Sequence, residues 1–231
     1  MKDEKIYLYE THLHTYPVSK CGRATVRETL EFYKREGYAG VFITNHFIDG
    51  NINIDRSLPY EERIRFYFSD YEDGVEIGKE IGLPVFCGVE MSYRGADFLV
   101  YGLDKEWFLA HPEIRDMKKT EELPFLMEHG ALVIHAHPFR EGDQIRLFPH
   151  FVHGVEIYNA SRNDLENSMA KLYAENYGLP PFAGSDNHSA SRQNTLGGIK
   201  MASPISDEAD FVERIKAGEY DIFKREHNIK S

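Results

Sequence analysis

Apolar segments of strand length alternate with amphipathic segments of helix length, and this alternation restricts the fold more than any other feature of the chain. Seven segments have the length and apolar content of strands: Ile6–Tyr9, Ala39–Thr44, Pro84–Val89, Phe98–Tyr101, Ala131–Ala136, Val155–Tyr158 and Pro181–Ala183. Strands that alternate with helices form parallel sheets with right-handed crossovers. Seven such strands in 231 residues predict a closed or nearly closed barrel, as one domain over residues 1–231.

The helices predicted between these strands carry recognisable start and stop signals. Thr25 and Glu28 form a capping box that starts a helix running to about Glu36. Further helices are predicted over Tyr60–Ile81 with a potential break at Gly74, Thr120–His129 with Pro124 at a kink or in the first turn, Asp164–Tyr177 and Asp207–Ala217.

Charge and composition exclude several classes of protein. The formal charge is −11, from 38 acidic and 27 basic residues, and this opposes binding to nucleic acid, which depends on neutralising phosphates. No apolar run approaches the length of a membrane span, and the N-terminus, Met1–Lys5, lacks the apolar segment of a signal peptide. Cys21 and Cys87 form no Cys-x-x-Cys pair, which excludes a zinc ribbon. We therefore expect a cytoplasmic protein without a nucleic-acid or membrane partner; the oligomeric state is not indicated.

Histidine and acidic residues follow most of the predicted strands. The segments at the strand ends are Glu10–Thr15, Thr44–His46, Gly88–Glu90, His135–Arg140, Val155–Asn159 and Gly184–His188. His12 and His14 point to the same side if the first strand continues, because strand side chains alternate with period two. In barrels of this kind the active site lies at the carboxyl ends of the strands. Metal-ligating side chains are thus predicted to converge at this end of the barrel.

Five of these segments resemble motifs of the PHP superfamily, the polymerase and histidinol phosphatase family of metal-dependent phosphoesterases. The segments are His12-Leu13-His14, Thr44-Asn45-His46, Gly88-Val89-Glu90, His137-Pro138-Phe139-Arg140 and Ser185-Asp186-Asn187-His188, in the family's order. The resemblance covers about Tyr7 to Ser189 and is closest in kind to the histidinol phosphatases. It implies a distorted (β/α)7 barrel, in agreement with the strand count.

The resemblance also implies a set of metal ligands. One metal ion would be held by His12, His14, Glu90 and Asp186; a second would share Glu90 and take His137; a third would use His46 and His188. It further implies Glu90, Asp186 and His188 as catalytic residues. Imidazole and carboxylate ligands suit zinc, manganese or iron, and the sequence does not choose among them.

The activity implied is hydrolysis of a phosphate ester, with a small phosphomonoester as the first expectation. Closely spaced metal ions lower the pKa of a shared water, so that a bridging hydroxide can act as the nucleophile near neutral pH. Arg140 would bind the phosphate, because guanidinium presents paired donors to a phosphoryl group. A nuclease or phosphodiesterase, a protein-tyrosine phosphatase and a metal-binding module without activity are the alternatives.

Some positions depart from the family pattern. Glu10 and Asn45 stand where aspartate usually precedes the histidines, and both are predicted to orient ligands. Cys21 is a candidate ligand for the third metal, whereas the neighbouring Lys20 and Arg23 would oppose one, so the sequence leaves the third site open. Either Asp97 or Asp104 could replace a histidine that relatives supply to the second metal. The sequence does not decide the roles of Cys21, Asp97 and Asp104. The rim loops Ile48–Tyr60, Glu141–His150 and Ser189–Leu196 carry no recognisable motif.

Six histidines fall outside the predicted ligand set. His135 precedes His137 by two residues and is predicted to lie in the core or to support a ligand. The others match no motif and are predicted to be structural or on the surface: His111, His129, His150, His153 and His227.

Overall fold

Nine strands form one mixed sheet that curls into a nearly closed barrel in the computed structural model, which describes residues 5–140, 142 and 144–227. The strands are β1 (Tyr7–Glu10), β2 (Gly40–Ile43), β3 (Val85–Tyr93), β4 (Ala96–Tyr101), β5 (Leu132–Ala136), β6 (Gly154–Asn159), β7 (Pro181–Gly184), β8 (Thr195–Met201) and β9 (Asp221–Glu226). Their spatial order is β7-β6-β5-β4-β3-β2-β1-β8-β9. The predicted fold class is confirmed.

Six α-helices are found in the same part of the chain, mostly where the sequence predicts them. They are α1 (Val26–Arg35), α2 (Tyr60–Ile81), α3 (Lys105–Ala110), α4 (Lys119–Glu128), α5 (Asp164–Tyr177) and α6 (Glu208–Ala217). The capping box at Thr25 is present, with Glu28 donating its backbone N–H to the Thr25 side chain. Helix α2 continues through Gly74, where an added Cβ would lie 2.9 Å from Ile43, so the glycine permits close packing on β2. Pro124 lies inside α4.

One difference from the prediction is the direction of the fourth strand. β4 pairs antiparallel with both β3 and β5, whereas β1, β2 and β3, and likewise β5, β6 and β7, pair in parallel. The expectation of about seven parallel strands is therefore wrong for β4. Only Arg94 and Gly95 connect β3 to β4, both with positive φ, and a two-residue turn can join only antiparallel strands.

Two further strands bring the ends of the barrel together. β8 pairs antiparallel with β1, and its Gly197 N–H donates to the Ser185 hydroxyl just beyond β7 at 2.9 Å. Gly198 has a φ of 143°, and a Cβ there would lie 2.2 Å from the Tyr9 carbonyl oxygen. The close approach of β8 to its neighbours thus requires the pair Gly197-Gly198. The same pair lowers the strand propensity of the segment, so the sequence does not predict β8.

The barrel interior supports the carboxyl ends of the strands with aromatic side chains. Phe86 lies on the same face of β3 as Glu90, because side chains two and four residues apart point the same way. Phe42 packs between Phe86 and Phe211 of α6, with ring centroids at 5.0 and 4.2 Å. The Tyr101 hydroxyl donates to the Thr11 carbonyl at 2.7 Å, directly before His12. The core thereby fixes the backbone that carries the candidate ligands.

Within the described ranges no helix is long and apolar enough to cross a bilayer. Residues Met1–Glu4, together with Glu141 and Asp143 of the rim loop Glu141–His150, lie outside the described residues.

Candidate metal centre

The carboxylate of Glu90 lies at the centre of four imidazoles. Its Oε1 is 3.3 Å from Nε2 of His12 and 3.1 Å from Nε2 of His137. Its Oε2 is 3.4 Å from Nε2 of His14 and 2.6 Å from Nδ1 of His46. Glu90 is fully buried, and four different strands (β1, β2, β3 and β5) and the loops after them bring these residues together. Each oxygen of one carboxylate therefore faces a different pair of histidines, as a bridging ligand would.

Asp186 completes the cluster from the other side of the barrel. Its Oδ1 lies 3.6 Å from Nε2 of His12 and 3.3 Å from Nε2 of His14, and its Oδ2 lies 3.9 Å from Nε2 of His137. Oδ1 is also 3.5 Å from Nδ1 of His188. All seven residues predicted as metal ligands thus meet at one end of the barrel: His12, His14, His46, Glu90, His137, Asp186 and His188.

The donor atoms are arranged as ligands of divalent metal ions, and some of them form no hydrogen bonds with one another. Nδ1 of His46 and Oε2 of Glu90 are buried and 2.6 Å apart, yet neither forms a hydrogen bond of acceptable geometry. A buried polar atom without a partner is costly unless something else satisfies it. Nitrogen and carboxylate oxygen donors in compact groups are ligands for transition metals, and four such groups with atoms within 4.8 Å of one another occur here.

The charges of the centre are strongly coupled in the metal-free protein. Burial alone would raise the pKa of Glu90, but His46 and His14 outweigh it and hold that pKa well below the ordinary value. Burial likewise opposes protonation of His46, yet Glu90 and Cys21 raise its pKa to about 10. Burial and the neighbouring imidazoles of His188 and His46 lower the pKa of His14. The carboxylate of Glu90 therefore stabilises positive charge on His46, which a proton carries in the metal-free protein.

Glu156 and Asn159 hold the ligands in place, and sequence reasoning gave neither a role. Oε1 of Glu156 is 2.9 Å from Nδ1 of His12, and its Oε2 accepts from the backbone N–H of His137 and the amide of Asn159. Asn159 also donates to Asp186 at 3.3 Å. A bulge between Glu156 and Tyr158 shifts the register of β6. Because a bulge adds one residue, Glu156 and Asn159 face the same side despite their odd spacing.

The two positions that depart from the family pattern are buried supports, as predicted. Oε1 of Glu10 accepts from the backbone N–H groups of Thr11, His12 and Ser185. Burial raises the pKa of Glu10 to about 7, although these donors act in the opposite direction. Asn45 accepts from the Thr15 backbone and from the Ser19 hydroxyl, and that hydroxyl oxygen in turn accepts from the His46 backbone N–H.

Cys21 lies at the mouth of the centre beside His46 and His188. Its side chain interacts with both imidazoles, and these contacts lower the pKa of the thiol to about 6 although burial would raise it. His14, His46 and His188 form one of the compact donor groups. Lys20 and Arg23 are exposed and do not line the cavity that contains Cys21. The cations expected to oppose a third metal thus do not line this cavity, whereas Cys21 does.

The structure separates the two aspartates that the sequence could not distinguish. Asp97 joins Glu90 and His137 in a donor group, and its Oδ2 is 4.0 Å from Nδ1 of His137. Asp104 instead caps α3 by accepting from the Trp107 N–H. Asp97 is also 3.3 Å from Nη1 of Arg140, whose side chain is 32% exposed. Arg140 therefore lies at the edge of the donor group of Glu90, Asp97 and His137, paired with one of its carboxylates.

Histidines outside the motifs pack elsewhere in the described ranges. His135 is fully buried and stacks on Phe98 with centroids 5.1 Å apart, so it belongs to the core and does not support a ligand. Burial lowers its pKa to about 3. The remaining five contact residues remote from the centre: His111 and His129 contact Trp107, His150 contacts Tyr177, His153 accepts from Val133, and His227 contacts Phe32.

Two of the site residues have unusual backbone conformations. His137 has a φ of 24° and Asp186 a φ of 51°, and neither is glycine. Such conformations cost on the order of 1–3 kcal/mol and persist where the surroundings impose them, often at functional sites. Both side chains face the centre: Nε2 of His137 lies 3.1 Å from Glu90, and Oδ2 of Asp186 lies 3.9 Å from the same nitrogen.

A cavity of about 780 Å³ opens over the centre. Four arginines line it together with Cys21, His46, Asp186 and His188: Arg56, Arg94, Arg140 and Arg162. Of these, the sequence motifs point only to Arg140 as a substrate ligand. Arg56 and Arg94 lie in segments without a motif, and only the fold shows that they face the same space.

The comparisons with solved structures agree with this architecture. A two-domain protein from Bacteroides vulgatus ATCC 8482 containing a predicted PHP-like metal-dependent phosphoesterase superposes with a TM-score of 0.67 at 12% identity, over 95% of this chain and 65% of that one. The chain thus spans just under two thirds of that relative. A protein from Bifidobacterium adolescentis ATCC 15703, assigned provisionally as a metal-dependent phosphoesterase, superposes with a TM-score of 0.55. The two chains are 13% identical, and the match covers 90% of this chain and 96% of that one.

A third structure is similar at the same level. An amidohydrolase from Chromobacterium violaceum, solved with bound sulfate and no metal, superposes with a TM-score of 0.53 at 14% identity, over 92% of this chain and 96% of that one.

Comparison of the sequence with curated proteins gives no match. A family profile described as PHP-associated matches residues 164–220, which include Asp186 and His188. The resemblance predicted from the five motifs is thereby confirmed: the chain shares its fold with a protein described as containing a PHP-like phosphoesterase, and residues 164–220 match the PHP-associated profile.

Proposed function

We propose that the protein is a metal-dependent phosphoesterase that removes phosphate from a small phosphomonoester. One observation carries the proposal: the buried carboxylate of Glu90 faces four imidazoles at 2.6 to 3.4 Å, with Asp186 opposite. A carboxylate shared in this way fits a bridge between two divalent cations, and the mixed imidazole and carboxylate donors suit zinc, manganese or iron.

Three groups of residues would hold the metals. His12, His14, Glu90 and Asp186 would form the first site; Glu90, His137 and Asp97 the second; His46, His188 and Cys21 the third. Bound there, the metals would supply a hydroxide nucleophile near neutral pH and neutralise charge on the phosphoryl oxygens. No serine or cysteine nucleophile is needed for this chemistry.

The protein side chains would orient the metal ligands and bind the substrate. Glu156 fixes the ring of His12 with its Nε2 toward Glu90, since the other ring nitrogen is held at 2.9 Å. Arg140 stands at the rim, where its guanidinium can take the non-bridging phosphoryl oxygens of a monoester. Glu90, Asp186 and His188 remain the proposed catalytic residues because they surround the point at which the imidazoles converge.

The other functions are less well supported. A polynucleotide substrate would meet a chain with a formal charge of −11. A module without activity would have little need of a complete donor set and two strained ligands. A phosphotyrosine substrate uses the same metals, and the present proposal differs from it only in the leaving group.

The test is metal analysis of the purified protein beside a phosphate-release screen over small monoesters, phosphotyrosine peptides, phosphodiesters and oligonucleotides. Release from small monoesters, abolished by chelation and restored by one of the three metals, is the expected result. Activity confined to diesters, or hydrolysis that persists in metal-depleted protein, would overturn the proposal.

A further inference from the structure

The four arginines that line the cavity come from four separate segments. Arg56 lies before α2, Arg94 in the turn between β3 and β4, Arg140 after β5 and Arg162 between β6 and α5. No single helix or loop accounts for their meeting. In a chain with 38 acidic and 27 basic residues, convergence of four guanidinium groups on one cavity indicates a ligand with more negative charge than one phosphoryl group.

Three acidic residues line this cavity in the part of the chain that the structure describes, and each is paired with other groups. Asp49 binds Lys119 at 3.0 Å, Asp97 lies beside His137 and Arg140, and Asp186 faces the imidazoles of the metal centre. Among the described residues, Arg56, Arg94 and Arg162 form no ion pair with a carboxylate. Within these ranges, no described carboxylate offsets the charge of these three guanidinium groups, which can therefore act on a ligand.

Arg162 is the member of the group best prepared to bind. Its Nε is buried and, within the part of the chain that the structure describes, has no hydrogen-bond partner. Its backbone N–H donates to the Asn159 carbonyl at 3.0 Å, and Ser161 next to it donates to the carbonyls of Ser185 and Asp186. The loop is thus tied to the metal centre while the side-chain donor stays unsatisfied, an arrangement that reduces the entropy lost on binding.

The other arginines have different contacts. Arg56 donates to the Gly50 carbonyl at 2.7 Å, Arg94 lies over the ring of Tyr93, and Arg140 pairs with Asp97 at the second metal position. The reacting phosphoryl group belongs beside Arg140 and the metals. A cavity of about 780 Å³ has room for more of a ligand than this group, since small-molecule sites span roughly 300–1,000 Å³.

We propose that the substrate carries a second anionic group, a phosphate or a carboxylate, and that Arg162 binds it while the reacting phosphoryl group lies beside Arg140. Arg56 and Arg94 increase the positive potential at the entrance. This inference rests on the proposed function for the identity of the reacting group, but the binding of the second group does not require hydrolysis.

The experiment compares ligands that differ only in the second anionic group. A series of alkanediol bisphosphates of increasing length is assayed beside alkyl monophosphates of the same length and beside ω-carboxyalkyl phosphates. In the wild type we expect kcat/KM for the best bisphosphate or carboxylate to exceed that of its monophosphate by roughly ten- to hundred-fold, the effect of one charged hydrogen-bonding group. The better of the two series identifies the second group.

Arg162→Ala should abolish most of this preference, so that the ratio of the two kcat/KM values approaches one, and Arg162→Lys should keep part of it. Arg192→Ala is the matched control, because Arg192 is exposed on a neighbouring rim loop and does not line the cavity. It should leave the ratio unchanged.

Binding of non-hydrolysable alkane bisphosphonates and monophosphonates, measured by calorimetry, separates this inference from the proposed function. Tighter binding of the bisphosphonate, lost in Arg162→Ala, supports the second site even if no substrate is turned over. Equal affinity for the two ligands in the wild type, or a preference that Arg162→Ala retains in correctly folded protein, would overturn it.

Discussion

Nδ1 of His12 lies 2.9 Å from Oε1 of Glu156, and neither side chain is exposed to solvent. The same carboxylate accepts from the backbone N–H of His137, so one buried acid contacts residues of both the first and the second proposed metal site. Such outer contacts fix which ring nitrogen faces the metal and raise the basicity of the ring.

Removal of Glu156 should therefore weaken metal binding without removing a ligand. We expect Glu156→Ala to lower metal affinity roughly ten- to hundred-fold, and Glu156→Gln, which retains an acceptor oxygen, to lower it less. Glu175→Ala on the exposed face of α5 is the control. Isothermal titration with zinc or manganese provides the measurement, and an unchanged affinity in Glu156→Ala would show that His12 is held by other contacts.

Glu90→Ala should have the larger effect, because a bridging carboxylate serves two metals at once. We expect loss of bound metal and loss of hydrolysis together, whereas Glu62→Ala at the exposed start of α2 should change neither. Metal content and phosphate release are measured on the same preparations. Full activity and stoichiometry in Glu90→Ala would exclude Glu90 as the bridge.

The strand ends and their histidines could be predicted because each motif is local in sequence. The support from Glu156 and Asn159 could not, because it depends on a bulge that changes which side chains of β6 share a face. Arg94 was missed for a similar reason: it lies in a two-residue turn that also reverses β4. Contacts between distant segments, such as Arg56 and Arg162 lining one cavity, follow only from the closed sheet.

Metal-free protein should lose stability as pH rises above neutrality. The pKa of His46 is about 10 in the folded metal-free protein against an ordinary value of 6.5, so the folded state holds a proton that the unfolded state releases. This contribution is fully present below about pH 6.5 and is lost as pH rises toward 10.

Metal binding requires the neutral imidazole and should release the same proton. The melting temperature of chelator-treated protein should therefore fall between about pH 6.5 and 10, while metal-loaded protein changes less. His46→Gln should reduce the slope in the metal-free protein. Parallel curves for the two forms of the wild type would contradict this assignment of the charge to the metal centre.

Cys21 should supply a thiolate to the third metal. Its contacts with His46 and His188 place it with two imidazole donors, and thiolate with imidazole is a donor set that binds zinc or cobalt. Substitution of cobalt(II) should produce a sulfur-to-cobalt charge-transfer band in the near ultraviolet. Cys21→Ser should lose this band and one equivalent of metal.

Cys87→Ser is the matched control, because Cys87 is buried in β3 and faces none of the candidate ligands. It should retain the band. A spectrum without charge transfer in the wild type, with three equivalents of cobalt bound, would mean that Cys21 is not a ligand.

Arg140 should bind the reacting phosphoryl group and leave the metals in place. It lies three residues beyond His137, and its Nη1 is 3.3 Å from Asp97. Guanidinium has no lone pair for a metal, but its paired donors match phosphoryl oxygens. We expect Arg140→Ala to lower kcat/KM roughly ten- to hundred-fold, from loss of a charged hydrogen bond of about 1.5–3 kcal/mol.

Arg140→Lys should recover only part of this loss, since a point charge cannot reproduce the fork. Metal content distinguishes the two roles that the contact with Asp97 allows. Burial and the nearby Glu90 raise the pKa of Asp97, and Arg140 together with His137 opposes this. If Arg140 serves mainly to keep Asp97 ionised as a ligand, Arg140→Ala will lose metal from the second position, and added metal will restore activity. If it binds phosphate, metal content will be unchanged and excess metal will not rescue kcat/KM.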